Sequence, residues 1–271
     1  MPEENERKAV QIDTTVSHPA RIYDYWLGGK SNFEVDRIAG EAVLAHRPGL
    51  RWSVRANRLF LGRVVRWLTA EQGLRQFLDI GTGIPLDDSR HPHEIAQAIA
   101  PESRVVYVDN DPIVLAHAHK LHASTPEGAT AYIDGDLRDT DAMLAEAAKT
   151  LDFSRPVALL LLGVLHLIND EEDPYEIVGR LVRAVPSGSH LVISHPASDL
   201  LPGTQQEASR QYNQRVATHQ TLRSREEVAR FFAGLELVEP GLVQWHEWRP
   251  NPADEVPEGA MSGHSGVARV P

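Results

Sequence analysis

Cysteine is absent from the 271-residue sequence. A disulfide framework, a thiolate zinc site and a cysteine nucleophile are therefore excluded. Long apolar runs are also missing, because the longest, VALLLLGVLHLI, is too short to span a bilayer. The charged start, MPEENERKAV, lacks the apolar segment of a secretory signal. We therefore expect a cytoplasmic protein with no membrane partner.

Basic residues are few compared with acidic ones: 27 Lys and Arg stand against 38 Asp and Glu, a formal net charge of -11. Nucleic-acid binding depends on cationic side chains that neutralise phosphates, so we do not expect a nucleic-acid partner. The arginine series Arg55, Arg58, Arg63 and Arg66 could form a local basic patch. Its simpler interpretation is one solvated face of a helix.

The opening quarter has the pattern of three helices. Ser17 is placed to cap the first, SHPARIYDYWLGGK, and Asn32 to cap the second. The third is predicted from Ser53 towards Gly73. Its apolar face consists of Leu61, Val64, Val65 and Leu68. We expect residues 1–75 to form a loose tail and a helical lid, packed on a core of residues 76–271.

From Gln76 onward, short apolar runs alternate with amphipathic segments, which is typical of a parallel sheet covered by helices on both faces. The predicted strands are QFLDIG, RVVYVD, TAYIDG, PVALLLLGV and HLVISH. Two further strands, within LVQWHEWRP and SGVARVP, would add an antiparallel edge. We interpret the intervening NPADEVPEGAMSGH, rich in Pro and Gly, as a loop.

Polar residues and glycines follow the first three strands, at the edge where an open parallel sheet binds its ligand. They are Asp79, Gly81, Thr82, Gly83, Asp109, Asn110 and Asp136. The glycines allow a tight turn and a close approach to a ligand. Asp109 can accept both hydroxyls of a ribose, and Asp136 lies where an adenine amino group would be. Together they predict a nucleoside site, whereas Asp111 before Pro112 is better explained as a helix cap.

NAD and S-adenosylmethionine both bind over such loops. A dinucleotide site needs G-x-G-x-x-G opening a helix that cradles a pyrophosphate. Here the run is GTGIPL, with Pro85 and Leu86 where that helix should begin, and Asp109 follows later than the pattern requires. S-adenosylmethionine has no phosphate, so the glycine turn and acids favour it.

Several segments resemble a known family: FLDIGTGIP, RVVYVDNDPIVLAHAHKL, TAYIDGDLRD, PVALLLLGVLHLI, DPYEIVGRLVRAVPSGSHLVISH and the N-terminal HPARIYDYWLGGKSNFEVDR. They are similar to the actinomycete-type S-adenosyl methyltransferases, catalogued as a domain of unknown function among the class I methyltransferases. The resemblance extends from about Asp13 to Val270, and the N-terminal signature is its most specific part. The loop LDDSRHPHEIAQ departs from it by its richness in charge.

The resemblance implies an α/β, Rossmann-like fold with a seven-stranded sheet of order 3-2-1-4-5-7-6, strand seven antiparallel. It also implies that Gly81 and Gly83 lie under the methionyl part of S-adenosylmethionine and that Asp109 binds the ribose. Asp136 and the Leu137 backbone amide would read the adenine. Gly163 would follow the fourth strand beside the sulfonium.

Methyl transfer from a sulfonium is an in-line displacement, so the main task is to align the reactants in a dry site. His166, just after the fourth strand, is the candidate base if the acceptor must lose a proton, and a structural histidine is the alternative. From the lid we expect contributions from Tyr23, Asp24, Tyr25, Lys30, Asn32 and Arg58. Arg58 could bind a carboxylate, whereas we expect Trp26 and Phe33 to be core.

The histidine clusters HPHE and HAHKLH invite a metal interpretation, but His117 and His119 would point to different faces of a helix, so we expect no metal. No G-x-S-x-G elbow of a serine hydrolase is present. The leading hypothesis is a methyltransferase that uses S-adenosylmethionine on a small-molecule acceptor. The alternatives are a non-catalytic binding or sensor protein and, less favoured, an NAD-dependent oxidoreductase.

Overall fold

Five parallel strands form the centre of the sheet in the computed structural model, which describes residues 12–85, 91–117, 124–252 and 261–271. The strands are β1 (Gln76–Ile80), β2 (Arg104–Asp109), β3 (Ala129–Asp134), β4 (Ala158–Leu162) and β5 (His190–Pro196). Their spatial order is β3-β2-β1-β4-β5. The strand order therefore reverses between β1 and β4, where open α/β sheets bind ligands.

Three later strands complete the sheet: β6 (Glu236–Leu237), β7 (Val243–Gln244) and β8 (Gly263–Arg269). β8 pairs antiparallel with β5, and the two short strands both pair with β8. The sheet order and the antiparallel strand expected from the resemblance are confirmed. The outermost strand position, beside β8, is occupied by two short strands, β6 and β7. Pro240, which lacks an N–H, and Gly241, at φ 86°, interrupt the ladder there.

The helices cover both faces of the sheet and its ligand-binding edge. They are α1 (Pro19–Leu27), α2 (Glu34–Leu44), α3 (Leu50–Ala70), α4 (Pro92–Ile99), α5 (Pro112–His117), α6 (Thr140–Ala147), α7 (Pro174–Arg183), α8 (Thr204–Asn213) and α9 (Arg225–Arg230). The predicted helix after β2 continues beyond α5 into residues 118–123, which lie outside the described residues, as do residues 1–11, 86–90 and 253–260. No described helix is long and apolar enough to cross a membrane.

Each strand alternates its apolar side chains between two cores. Leu78, Val106 and Leu159 belong to one core, packed with α6 and α7. Phe77 and Val105 belong to the other, to which α3 contributes its apolar face. The predicted face of Leu61, Val64, Val65 and Leu68 is buried, with no side chain above 4% exposure. Burial on both sides of the sheet explains the continuous apolar runs in these strands.

The helix starts differ from those predicted. His18, not Ser17, is the N-cap residue of α1, and Ser17 Oγ donates to the carbonyl of Arg215 at 2.9 Å. Phe33, not Asn32, is the N-cap residue of α2. The buried Asp36 carboxylate caps the N-terminal end of this helix by accepting from Phe33 N at 2.9 Å. Both predicted cap residues are instead used in contacts between segments, which a local pattern does not reveal.

The third helix begins at Leu50, earlier than the predicted Ser53. Ser53 is buried inside the helix, with its Oγ 3.1 Å from Ser262 Oγ. The arginines of this helix do not share one solvated face. Arg63 donates to the carbonyls of Trp245 and Trp248, and Arg58 lines the cavity described below.

Two glycine substitutions test this packing. A Cβ at Gly62, inside α3, meets Ile95 Cδ1 at 3.9 Å, an ordinary contact. Gly62→Ala should therefore raise the free energy of unfolding by about 0.5–1 kcal/mol, because alanine favours helix.

A Cβ at Gly263 in β8 would lie 1.9 Å from Trp245 Cζ2. Gly263→Ala should lower the free energy of unfolding by about 1–3 kcal/mol or more, since the ring must move. Urea unfolding measures both, and effects of the same sign would contradict the packing.

Candidate functional site

A cavity of about 320 Å³ lies at the carboxyl ends of β1 to β4. Its floor is formed by the glycine loop after β1 and by residues that follow β2, β3 and β4. Its roof comes from α1 and α3, and the segment around the end of α8 closes one side. All predicted cofactor residues line it: Asp79, Gly81, Thr82, Gly83, Asp109, Asn110, Asp136, Leu137 and Gly163.

The loop after β1 needs glycine at two positions. Gly81 has φ 73°, and a Cβ there would lie 2.6 Å from Val164 Cγ2. Its N–H donates to the carbonyl of Val108 at 2.8 Å, which ties the loop to β2. Gly83 has φ 67°, with nothing within 4 Å of the position a Cβ would occupy. The backbone is therefore open to a close ligand contact at Gly83.

The Asp109 carboxylate joins this loop to the end of β2. Its Oδ2 accepts from Gly83 N at 2.7 Å, and its Oδ1 accepts from Asp111 N at 3.0 Å. Burial raises the pKa of Asp109, and these two N–H groups act in the opposite direction. Each carboxylate oxygen has a second acceptor site, so Asp109 can still accept hydroxyl groups from a ligand.

Asp111 caps α5, as predicted, by accepting from Ile113 N at 3.0 Å. It also has an unpredicted role, because His18 Nδ1 at the start of α1 lies 2.7 Å from its Oδ2. Burial acts to raise the pKa of Asp111, but the contact with His18 and the charges of His18 and Arg21 outweigh it and lower the pKa. The end of β2 is thus attached to the roof of the cavity.

Asp79, at the end of β1, pins the glycine loop by accepting from Thr82 Oγ1 at 2.9 Å. Only 5% of Asp79 is exposed. Burial raises its pKa to about 6, against the lowering effects of Thr82 and of the Arg58 charge. Ionised Asp79 is consequently a buried carboxylate that would attract a cationic group in the cavity.

Asp136 is more exposed and lies in a polar network. Its Oδ2 accepts from Asn110 Nδ2 at 2.9 Å, and its Oδ1 accepts from Arg138 N at 2.9 Å. Burial acts to raise the pKa of Asp136, but the Arg138 N–H and guanidinium outweigh it and lower the pKa. Asp136 is therefore an ionised acceptor at the cavity edge, with the buried Leu137 beside it.

His166 lines the cavity just after β4. Burial and the charge of Arg223 lower its pKa to about 3. Its Nδ1 is buried and has no hydrogen-bond partner among the described residues. The imidazole is therefore neutral at pH 7 and only weakly basic, which suits hydrogen bonding to a ligand better than proton abstraction.

The helices over the cavity contribute some of the predicted residues but not all. Tyr23 of α1 and Arg58 of α3 line it, as does the buried Asp24. Tyr25 does not, because its hydroxyl donates to Glu41 of α2 and its ring lies beside Arg51. Lys30 is exposed outside the cavity.

Asn32 is also absent from the cavity wall. Its Nδ2 donates to Asp24 Oδ2 at 2.7 Å and to the carbonyl of Gly29 at 3.0 Å. Trp26 packs in the apolar interior, as predicted, although it also touches the cavity, whereas Phe33 is half-buried and packs against a small apolar cluster. Asn32 therefore supports Asp24 rather than the ligand space itself.

Several cavity residues were not predicted. Asn57 of α3 lies one position before Arg58, and Tyr212, Thr218 and Gln220 come from the end of α8 and the segment after it. Asn57 is polar on an otherwise apolar helical face, a signal that the sequence contains. The other three carry no motif, because only the chain's return across the sheet brings them to the cavity.

The histidine clusters are used elsewhere. His93 Nδ1 lies 2.7 Å from the hydroxyl of the buried Tyr107, and His117 Nε2 lies 3.1 Å from Ser31 Oγ. His119 and His122 lie outside the described residues. Among the residues with described positions, no group of three or more His, Asp or Glu side chains is placed to hold a metal ion.

A family model described as S-adenosyl methyltransferase matches residues 5–271. The chain belongs to this family. It is 47% identical to a DUF574 family protein from Streptomyces avermitilis, over 96% of this chain and 100% of that one, with a TM-score of 0.92. It is 37% identical to a candidate methyltransferase from Thermobifida fusca, over 99% of both chains, with a TM-score of 0.87. The resemblance found in the sequence is thereby confirmed.

A more distant structure shares the fold. The N-methyltransferase NodS from Bradyrhizobium japonicum, solved with S-adenosyl-L-homocysteine, is 13% identical over 93% of this chain and 99% of its own, with a TM-score of 0.51. The fold is Rossmann-like and typical of methyltransferases. No curated protein matches the chain by sequence.

S-adenosylmethionine is the cofactor of this family, and the cavity suits it. Gly83 leaves room for a ligand beside the backbone, and Asp109 and Asp136 offer carboxylate oxygens for hydroxyl and amino donors. Pro85 follows the loop where a pyrophosphate-binding helix would begin. The cavity therefore fits a nucleoside joined to a cationic, phosphate-free group.

The raised pKa of Asp79 makes a prediction about stability. Because its pKa is higher in the folded chain than in the unfolded chain, ionisation of Asp79 opposes folding, and stability decreases as pH rises from about 4 to 6. Asp79→Asn keeps an acceptor for Thr82 and removes the charge. The difference in free energy of unfolding between the variant and the parent should therefore increase in the variant's favour by about 1–3 kcal/mol between about pH 4 and about pH 7.

Urea unfolding of the parent and the variant across this pH range measures the difference. A pH-independent difference would show that Asp79 ionises normally in the folded chain. Asp134→Asn is the matched control, since Asp134 is exposed at the end of β3.

Proposed function

We propose that this family member transfers the methyl group of S-adenosylmethionine to a small-molecule acceptor that binds beneath α1 and α3. One observation carries the proposal. The ends of four neighbouring strands bring Gly83, Asp109, Asp136 and Gly163 to a single cavity, which helices from the N-terminal quarter cover. A partly covered cavity of this kind is typical of small-molecule sites. The net charge of -11 is unfavourable for a nucleic-acid acceptor.

We propose for these cavity residues the cofactor contacts that the family resemblance implies. Asp109 accepts the ribose hydroxyls, and Asp136 with the Leu137 N–H binds the adenine. The loop of Gly81, Thr82 and Gly83 would hold the methionyl part, and Asp79 anchors this loop through Thr82. Asn110 orients Asp136 by donating to Oδ2 at 2.9 Å. Gly163, which follows β4, would lie beside the sulfonium.

When bound, S-adenosylmethionine supplies a methyl group activated by its sulfonium. The chain then has to align the acceptor and exclude water. Tyr23, Trp26 and Asn57 form the part of the roof that would do so. With a pKa of about 3, His166 orients an acceptor by hydrogen bonding rather than taking its proton.

Asp109→Ala should weaken binding of S-adenosylhomocysteine about ten- to a hundred-fold, or roughly 1–3 kcal/mol, because it leaves buried ribose hydroxyls unpaired. Isothermal titration measures the effect. Asp134→Ala, at the exposed end of the adjacent β3, is the matched control and should bind as the parent does. Since Asp109 also holds Gly83 N and Asp111 N, Asp109→Asn should be measured as well. Unchanged affinity in both variants would remove Asp109 from the site.

Turnover can be tested while the acceptor is still unidentified. The protein should form S-adenosylhomocysteine from S-adenosylmethionine when given fractionated small-molecule extract, and the label from a radioactive methyl group should appear in one fraction. Heat-denatured protein and Asp109→Ala are the controls, and both should show a loss of this product. Label found only in protein, with no label in any small-molecule fraction, would contradict a small-molecule acceptor.

A further inference from the structure

Asn57 presents a buried hydrogen-bond acceptor with no partner. It lies on α3, is 5% exposed and lines the cavity. Its Nδ2 donates to the hydroxyl of Tyr23 at 3.1 Å. Its Oδ1 is buried and has no hydrogen-bond partner among the residues that the structure describes. Buried polar atoms are rarely left unpaired in native proteins, and this oxygen belongs to a residue that lines the cavity, so it is available to accept a hydrogen bond from a bound group.

The neighbouring tyrosine fixes which way the amide faces. Tyr23 donates its only hydroxyl proton to the carbonyl of Val54, at 3.2 Å. The tyrosine oxygen must therefore accept from Asn57, and only the NH₂ side of the amide can donate. The amide oxygen consequently lies on the side away from Tyr23.

Asn57 also lies close to the end of β4. A Cβ built on Gly163 would be 3.4 Å from Asn57 Nδ2. Gly163 has φ 67°, and its N–H is held by the carbonyl of Ser194 at 3.0 Å, so the backbone is fixed there. The amide of Asn57 is therefore next to the residue that the proposed function places beside the sulfonium.

We propose that Asn57 Oδ1 accepts a hydrogen bond from the attacking O–H or N–H group of the methyl acceptor. The inference rests on the proposed function and narrows its substrate class to alcohols, phenols and amines. A carboxylate or thioether acceptor has no proton to donate to this oxygen. Asn57 would bind the heteroatom through its hydrogen and leave a lone pair directed at the methyl group.

The transfer balances with no further reactant. The heteroatom's lone pair forms the new bond to the methyl carbon, and the bond from that carbon to sulfur breaks with its electron pair on sulfur. The acceptor then carries one proton more than the neutral product, and this proton leaves to solvent. Asn57 neither gains nor loses a proton, so its role is to bind and orient.

A different donor could satisfy the same oxygen, namely the α-ammonium of the cofactor's own methionyl part. Three probes separate these two sources. S-adenosylhomocysteine carries the α-ammonium but has no group at the methyl position. Sinefungin carries the α-ammonium and a second amine, attached to the carbon that replaces sulfur. 5′-Methylthioadenosine lacks the amino acid altogether.

The experiment is an isothermal titration of these probes into the parent, Asn57→Leu, Asn57→Asp and Ser53→Ala. Asn57→Leu should lower the affinity for sinefungin relative to S-adenosylhomocysteine by about tenfold or more, because it removes the acceptor for a charged donor. Asn57→Asp keeps an acceptor of the same shape and should preserve or raise the preference for sinefungin. Ser53→Ala removes a buried hydroxyl on the same helix, outside the cavity, and should leave the ratio unchanged.

If Asn57→Leu still binds S-adenosylhomocysteine and its affinity for sinefungin relative to S-adenosylhomocysteine equals that of the parent, this inference is overturned. The proposed function is not affected by that result. Equal weakening of sinefungin and S-adenosylhomocysteine, with 5′-methylthioadenosine unaffected, would assign the oxygen to the cofactor's ammonium and also overturn this inference. If Asn57→Leu does not fold, a loss of sinefungin preference in Asn57→Asp would overturn it. Failure of the parent to bind S-adenosylhomocysteine would instead overturn the proposed function and this inference with it.

Discussion

One carboxylate, that of Asp109, holds together the parts of the molecule that form the cavity. It accepts from Gly83 N at 2.7 Å and from Asp111 N at 3.0 Å, which fixes the glycine loop against the end of β2. Asp111 in turn lies 2.7 Å from His18, at the start of α1. The floor of the cavity and its roof are thus joined through two neighbouring acids of one strand end. Any change in Asp109 is expected to affect the loop geometry as well as ligand contacts.

The roof is fixed by a second buried acid. Asp36 is fully buried and accepts from the backbone N–H groups of His18 and Phe33, each at 2.9 Å, so it joins the starts of α1 and α2. Arg21 Nε lies 3.6 Å from the same carboxylate. Buried charges are tolerated only when they are paired and hydrogen-bonded, and these are. The position of Tyr23, and through it of Asn57, therefore depends on the buried hydrogen bonds of Asp36 at the start of α1.

Much of the sheet and its ligand edge follows from local sequence patterns. Apolar runs predict β1 to β5, and the residues after these strands converge because parallel strands end on one side. The cap residues could not be predicted in the same way, since Ser17 bonds to a distant segment, Asn32 bonds back to α1 and the turn after it, and Asp36 closes the start of α2 instead. Tyr25 was expected in the cavity, but a helix pattern does not reveal which side of α1 faces α2. Nor does it reveal that the chain after α8 returns to supply Thr218 and Gln220.

The central claim is that this cavity binds an adenosyl ligand that carries no phosphate. Parallel isothermal titrations of the purified protein with S-adenosylmethionine, S-adenosylhomocysteine and NAD test it most directly. The account predicts saturable, one-to-one binding of both adenosyl ligands and no detectable heat of binding from NAD. Binding of NAD, with no response to the adenosyl ligands, would mean that the loop from Gly81 to Pro85 accommodates a pyrophosphate, and would contradict the assignment of every residue around the cavity.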